Sequence, residues 1–328
     1  MNAKNCIYCG KPLEITSRSH NKRYCNETCR NGYRRHGSQN SSFTNEDLTK
    51  EVEINIEKVD TLDLLEEVSK RGFQSVKKDV RINRTYKFPR KLKPFKLGIV
   101  SDTHLGSIHQ QITLLHEAYK TFQQEGITKV LHIGDMTEGN GKLFKGQVFE
   151  MFLHGADSMV NYTIKNYPHF PQITTYIIAG SHDYSFFKEE GTDVLARIAE
   201  KRSDIKYLGV SGAYVKFGKI SIYLMHPSGG TPYARSYRMQ KTIEQFPPAD
   251  KPNILLVGHL HITNELPCYR NVAGFQVPCF QTQTQYLRAK GLAPDIGFLI
   301  LEIFPDMRGL SHYKSDWHID YVPVEGDY

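Results

Sequence analysis

Residues 96–104 read KLGIVSDTH, an apolar run that stops at two polar side chains, Asp102 and His104. Four further stretches repeat the device: KVLHIGDMTEG (129–139), TYIIAGSHD (175–183), ISIYLMHPSGG (220–230) and NILLVGHLH (253–261). Short Val/Ile/Leu-rich runs of this kind are what strands buried on both faces look like. Amphipathic helical stretches fall between several of them, at 110–124 and 190–201. The alternation predicts an α/β layered body, and in such sheets ligands gather beyond the carboxyl ends of the strands. Near the end, GFLILEIF (297–304) reads as another strand and WHIDYVPVE (317–325) as a terminal one.

The side chains that close these runs share one chemistry. They are Asp102, His104, Asp135, Ser181, His182, Asp183, His226, His259 and His261. Carboxylate oxygen suits a hard divalent cation, and a borderline one accepts imidazole as well. In D-x-H and H-x-H on an extended segment, alternate side chains point the same way, so each pair can address one cavity. Two ions about 3.5–4 Å apart can clamp a phosphate and generate hydroxide. A lone D-x-H is common and weak. Five such elements in order, each at the end of a strand-like run, point to a pair of Mn, Fe or Zn ions.

The order SDTH, GDMTEG, GSHD, MH and GHLH resembles the calcineurin-like metallophosphoesterase superfamily, whose usual pattern is D-x-H, G-D, G-N-H-D/E, H and G-H-x-H. The resemblance covers roughly 95–305 and leans toward the repair-exonuclease branch. It implies two mixed β-sheets in a sandwich flanked by helices, with two divalent metals at the strand ends. By the family pattern, Asp102, His104 and His261 would hold one ion and His226 and His259 the other, with Asp135 bridging. Hydrolysis would proceed by attack of a metal-bridged hydroxide. His182 would approach the scissile phosphate, and Asp183 would orient His182 from behind. One position departs: Ser181 stands where the family has a metal-ligating Asn. It reads as natural divergence or as a deliberate change that slows turnover.

Ahead of this body the chain is different in kind. Cys6-x2-Cys9 and Cys25-x3-Cys29 have structural-zinc spacing, in a segment too small to bury a core of its own. Residues 1–40 are therefore expected to form a four-cysteine zinc knuckle, similar to the zinc-ribbon or treble-clef knuckles of nucleic-acid-associated proteins. Residues 41–94 follow as a polar linker, a short helix at 61–73 and a basic connector; residues 95–328 form the phosphoesterase body. Cys268 and Cys279 lack metal spacing and are expected to pack.

The net charge of +7 is unevenly spread. Residues 1–40 hold eight Lys/Arg against Glu14 and Glu27, residues 43–69 are strongly acidic, and residues 70–96 set eleven bases against Asp79. Basic stretches interleaved with aromatics, as in RINRTYKFPRKLKPFK, suit backbone phosphates and base stacking. Arg30, Arg34 and Arg35 on the knuckle, and Arg235, Arg238 and Lys241 near the catalytic mouth, are the candidate nucleic-acid contacts. The expected function is a phosphodiester hydrolase acting on DNA or RNA. A small-molecule phosphodiesterase or phosphatase, and a silenced nucleic-acid-binding adaptor, remain as alternatives. No apolar run approaches the roughly 18 residues that span a membrane, and the start carries no secretory pattern. A cytoplasmic setting is expected, with nucleic acid as partner, and a homo-oligomer is compatible with the reading.

Overall fold

The apolar runs become strands because their Val, Ile and Leu side chains can be buried on two faces at once, as the all-buried Ile254–Val257 shows. In the computed structural model, the described residues are 6, 9, 11, 13, 23–36, 84–91 and 93–328. The polar linker that opens 41–94 and the helix expected at 61–73 lie outside them. The chain divides into two units, Met1–Val76 and Lys77–Tyr328.

In the first unit, helix α1 spans Glu27–His36. The second unit runs β1 (Arg84–Phe88), β2 (Phe95–Val100), α2 (Ile112–Gln124), β3 (Lys129–His132), α3 (Ala156–Asn166), β4 (Thr174–Ala179), α4 (Ser181–Glu190), α5 (Val194–Lys201) and β5 (Ile205–Val210). It continues with β6 (Gly212–Phe217), β7 (Ile220–Met225), α6 (Tyr237–Gln245), β8 (Ile254–Val257), β9 (Asn264–Tyr269), β10 (Val272–Gln276), α7 (Gln285–Ala289), β11 (Gly297–Pro305) and β12 (Leu310–Ile319). Two six-stranded sheets result, ordered β12-β11-β2-β3-β4-β5 and β1-β6-β7-β8-β10-β9. Both are mixed: β2 to β5 run parallel while β11 and β12 are antiparallel. In the other sheet β7, β8 and β10 run parallel, β6 is antiparallel to β7 but parallel to β1, and β9 is antiparallel to β10.

The core between the sheets contains Leu97, Ile99, Leu131, Ile178, Ile222, Leu256 and Phe275. A second apolar layer lies under the helices. In α2 the buried residues Leu115, Ala118, Tyr119 and Phe122 repeat at helical spacing. The helix comes so close to β2 that a Cβ at Gly98 would stand 2.9 Å from the Phe122 ring. Among the described residues, no helix is long and apolar enough to cross a membrane.

Three sequence expectations need correction. Residues 84–88, placed in the basic connector, are β1, which pairs parallel to β6 from Arg84↔Ala213 to Phe88↔Phe217. Its aromatics serve packing: Phe88 stacks on Phe217 at 4.6 Å and meets Tyr176 edge-on at 5.2 Å. The last strand is Leu310–Ile319 rather than 317–325, because Asp306 accepts bonds from the backbone of Arg308 and Gly309 and folds the chain into a hairpin with β11. Cys279 is buried as expected, whereas Cys268 is exposed on β9.

A half-buried Phe88 stacked in this way should matter to stability. Phe88→Ala is expected to lower it by about 2 kcal/mol, roughly half the loss at a fully buried Phe. Urea denaturation of both forms measures it. A change within about 0.5 kcal/mol, typical of a surface position, would mean that β1 does not hold to the sheet.

Candidate metal centre

Strand ends β2, β3, β4, β7 and β8 deliver their polar residues to one cavity. Asp102 and His104 follow β2, Asp135 follows β3, Ser181 and His182 begin α4 after β4, His226 follows β7, and His259 with His261 follows β8. Five of these side chains sit on left-handed backbone: Asp102 (φ 51), His104 (φ 45), Asp135 (φ 52), His259 (φ 77) and His261 (φ 53). Asp and His tolerate that region better than most residues, yet such positions still carry strain of order 1–3 kcal/mol each. Close approach does the rest. A Cβ at Gly180 would collide with the Asp135 carboxylate, so only glycine lets β4 bring α4 against that acid.

Three overlapping donor groups converge, the third being His104, Asp135 and His182, and two of them match the expected ion positions. In the first, Nε2 of His104 and Nε2 of His261 are 3.1 Å apart, with Asp102 Oδ1 at 3.3 Å from His261 and 3.9 Å from His104. Donors about 2.1 Å from one ion stand roughly 3.0–3.4 Å from each other, so this spacing fits a shared cation. In the second, Asp135 Oδ2 lies 2.9 Å from His226 Nε2 and 3.3 Å from Ser181 Oγ, and His259 completes the group. His226 Nε2 is buried and faces Asp135 Oδ2, so both atoms point into the same space. Its other nitrogen is fixed, because Nδ1 donates to Ile133 O at 2.6 Å. His259 Nε2 likewise donates to Gly229 O at 2.8 Å, leaving Nδ1 for an ion.

The electrostatics favour cations. Burial works to raise Asp102 and Asp135, but the surrounding histidines outweigh it, and both acids stay below the usual carboxylate range. Burial disfavours the charged form of His226, and Asp135 with Asp102 reverses that, pushing it up to about 9. His259 is driven down to about 4 by burial and by His226.

Glu138, whose role no spacing in GDMTEG signals, joins the two halves of the site. It is buried, with Oε2 3.0 Å from His104 Nδ1, so it sets the ring that presents Nε2 to the first ion position. Its backbone carbonyl accepts from His182 Nδ1 at 2.7 Å. Gln147 and Gln281 donate to its two carboxylate oxygens at 2.9 and 3.0 Å. Its trace in the sequence is the acid itself, followed at once by Gly139, at φ 89.

Asp183 does something other than expected. Its carboxylate accepts from Met136 N, Thr137 N, Thr137 Oγ1 and Gly180 N, which ties the β3 loop to the start of α4. Glu138 takes the task of orienting His182. Burial and the charge of Asp135 raise Asp183 to about 7.

The basic candidates divide. Arg238 donates to Ser228 O and Gly230 O and so braces the loop after His226. Lys241 pairs with Glu244 at 2.8 Å, while Arg235 and Arg30 are exposed. Arg34 and Arg35 fall on α1, with their side chains outside the described residues.

In the first unit, the sulfurs of Cys6, Cys9, Cys25 and Cys29 lie within 4.8 Å of one another. Cys9 to Cys25 is 3.6 Å and Cys25 to Cys29 is 3.3 Å, far beyond the ~2.05 Å of a disulfide. Cys6 N donates to Lys11 O, forming the turn that lets the first pair converge. Asn26 Oδ1 accepts from Cys29 N and fixes the second pair at the start of α1.

A family model, the calcineurin-like phosphoesterase superfamily domain, matches residues 95–272. Among solved structures, the chain is similar to a conserved uncharacterized protein, titled a predicted phosphoesterase, from Streptococcus pneumoniae TIGR4. Identity is 10%, over 70% of this chain and 100% of that one, with a TM-score of 0.36. It is also similar to a Vps29 single mutant from Entamoeba histolytica, at 13% identity over 69% and 99% with a TM-score of 0.35. Vps29 from Chaetomium thermophilum matches at 10% over 70% and 100%, with a TM-score of 0.36. The comparison with curated proteins returns no match.

Glu138→Gln keeps the shape but removes the charge behind His104. It should weaken metal binding about 10–100-fold, the usual effect of losing a group that orients a ligand. Titration with Mn²⁺ or Zn²⁺ followed by calorimetry measures this, and unchanged affinity would refute the role. A second expectation concerns pH. His226 is raised to about 9, so in the metal-free protein its proton stabilises the fold fully below about 6.5 and less as pH rises through 9. Metal uptake at pH 7 must therefore expel that proton, and affinity should climb with pH, by about tenfold per unit for each proton released, up to about 9. Calorimetry in buffers of different ionisation heat counts the protons. Uptake that releases none would contradict the assignment of His226.

Proposed function

The chain belongs to the calcineurin-like phosphoesterase superfamily, and from that premise we propose that it is a two-metal phosphodiester hydrolase acting on nucleic acid. The observation that carries the reading is the convergence of Asp102, His104 and His261 beside Asp135, His226 and His259 in one buried cavity. Two divalent ions, with Mn²⁺ the first choice and Fe or Zn also suited to the donors, would be held there. When bound, such ions polarise a phosphoryl oxygen and acidify water.

The protein's own groups supply the remainder. The cavity encloses about 320 Å³ and takes in His104, Asp135, Ser181, His182 and His261. His182 is fixed through Nδ1 on Glu138 O, which leaves Nε2 for the substrate. Burial lowers its proton affinity, but Asp135 and Glu138 raise it by more, so it stands above an ordinary histidine. A protonated His182 is thus suited to stabilise charge on the phosphate and to protonate the departing oxygen. His182 N donates to Asp135 Oδ1 at 2.7 Å, holding the bridging acid at the N-terminal end of α4.

Nucleic acid as substrate is supported by the exposed cations Lys142, Lys145, Arg288 and Lys290 on segments that border the cavity, and by the basic N-terminal third. The cysteine quartet is read as a structural zinc site: four thiolates about 2.3 Å from one ion stand roughly 3.8 Å apart, close to the spacings found. Crowding against Cys25 pushes the Cys29 thiol up to about 12, the state a cation would reverse. Incubation with Mn²⁺ and single- and double-stranded DNA and RNA tests the function, with Asp135→Asn as control. Cleavage that survives Asp135→Asn would overturn the assigned centre.

Ser181 gives the quantitative test. An Asn reaches further, offers a carbonyl oxygen to the ion and adds an N–H for the phosphate. One donor of that kind is worth roughly a hundredfold to a thousandfold in rate. Ser181→Asn should raise kcat on bis(p-nitrophenyl) phosphate by that order at saturating Mn²⁺, with KM little changed. Equal turnover would show that serine is a competent replacement.

A further inference from the structure

The cavity over the metal centre has a second wall that the chemistry leaves unused. It is built by Leu143 and Phe144 from the loop after β3, and by Tyr286, Leu287 and Leu292 around α7. Phe144 and Tyr286 stack on each other at 4.5 Å with 28° between planes. We propose that this wall is a ledge that seats an unpaired nucleobase of a nucleic-acid strand whose neighbouring phosphodiester lies at the metals. The inference rests on the hydrolase reading and names the substrate group next to the scissile bond.

Composition points first. The residues lining the cavity include no Lys or Arg. The face of the wall itself is leucine and aromatic carbon, which favours an uncharged body there and leaves the cations at its edge to the backbone phosphates. An uncharged planar body fits, and nucleobases have π-faces that stack on aromatic rings whatever their sequence.

The ledge is also preformed. Glu150 Oε1 accepts from Gln285 N at 2.7 Å and from Tyr286 N at 3.3 Å, which joins its two segments. Thr284 Oγ1 accepts from Leu287 N and starts α7. Gln147 receives Leu143 N at 2.9 Å and donates to Glu138, so the ledge is tied to the residue that orients His104 and His182. Lys290 sits over the Tyr286 ring at 5.8 Å. A ring pair held this way costs little ordering when a base arrives.

Exposure gives the third line. Apolar side chains continue along the same loop toward solvent: Leu143 is 39% exposed, Val148 43% and Phe149 84%. Lys142 and Lys145 are interleaved with them, and Arg288 with Lys290 flank Tyr286. Alternating aromatics and cations beside a phosphate site suit a single strand, whose bases offer open faces; a duplex keeps its faces stacked.

The test uses a short single-stranded oligonucleotide carrying 2-aminopurine, whose fluorescence falls on stacking, with the full chain in Ca²⁺ in place of Mn²⁺ so that the ion positions stay filled while cleavage is suppressed. The wild-type chain is expected to bind and quench the base, and Tyr286→Phe to do the same. Phe144→Ala and Tyr286→Leu should lose the quench and weaken binding roughly five- to a hundredfold, the effect of removing one base stack. With Mn²⁺ restored, their turnover of methyl p-nitrophenyl phosphate, which has no base, should equal that of the wild-type chain and so show that the site is folded. Undiminished quenching in Phe144→Ala and Tyr286→Leu overturns the ledge, and so does a duplex that binds as tightly as the single strand. A wild-type chain that quenches the base yet cleaves no phosphodiester with Mn²⁺ overturns the hydrolase reading and leaves the ledge standing.

Discussion

Two carboxylates, Asp102 and Asp135, are buried close together at the strand ends, and the local structure keeps both of them charged. Burial alone would protonate acids placed like this. They stay ionised because imidazoles reach them from three directions and backbone amides solvate them from behind. His259 N donates to both oxygens of Asp102, and His182 N donates to Asp135. The same arrangement that protects the charges leaves their remaining lone pairs converging with histidine nitrogens. A buried anionic pair with open donor sites is a demand for cations, and the strained backbone at five ligand positions is stable only because the sheets on either side hold it.

That strain explains the layout of the sandwich. A strand that ended in relaxed coil would let its Asp or His swing out to water. Here each end is fixed by a bond to its neighbour: Asp102 N to Gly134 O, His104 N to Asp135 O, and His226 N to Ser211 O. Asp183 gathers four donors from two loops in the same service. The cavity is thus positioned by rigid elements, while the ledge and the basic rim lie on surface loops, where exposure leaves room for variation.

What the sequence revealed follows from distance along the chain. The convergence of the candidate ligands was legible because most are local pairs: Asp102 with His104 and His259 with His261 stand two residues apart, which is enough to place both on one side. Glu138 was not, because its work depends on a loop returning to His104 and His182, and no spacing rule describes that. β1 was missed for a related reason. RTYKF carries three cations or polar groups among two aromatics and reads as a basic tract. Only its pairing with residues 213–217, far along the chain, turns Phe88 into a packing residue. For Arg238 and Lys241, candidate nucleic-acid contacts by sequence, the structure adds nearby acceptors that engage both.

The serine at 181 is best understood through the bridging acid. Ser181 begins α4, and its hydroxyl stands 3.3 Å from Asp135 Oδ2, the oxygen that also faces His226. An asparagine there would turn a carbonyl toward the second ion and add to its ligands. A serine hydroxyl can donate to the carboxylate instead, and a hydrogen bond to an anionic ligand withdraws some of the charge that holds the cation. On the two-metal reading proposed above, the position would shift from coordinating the metal to competing mildly with it for Asp135. His226, His259 and the acid would remain to retain an ion, and the backbone amide of His182 is unaffected by the side chain before it. The consequence would then fall on how tightly a phosphate is gripped during turnover, and much less on whether the centre assembles.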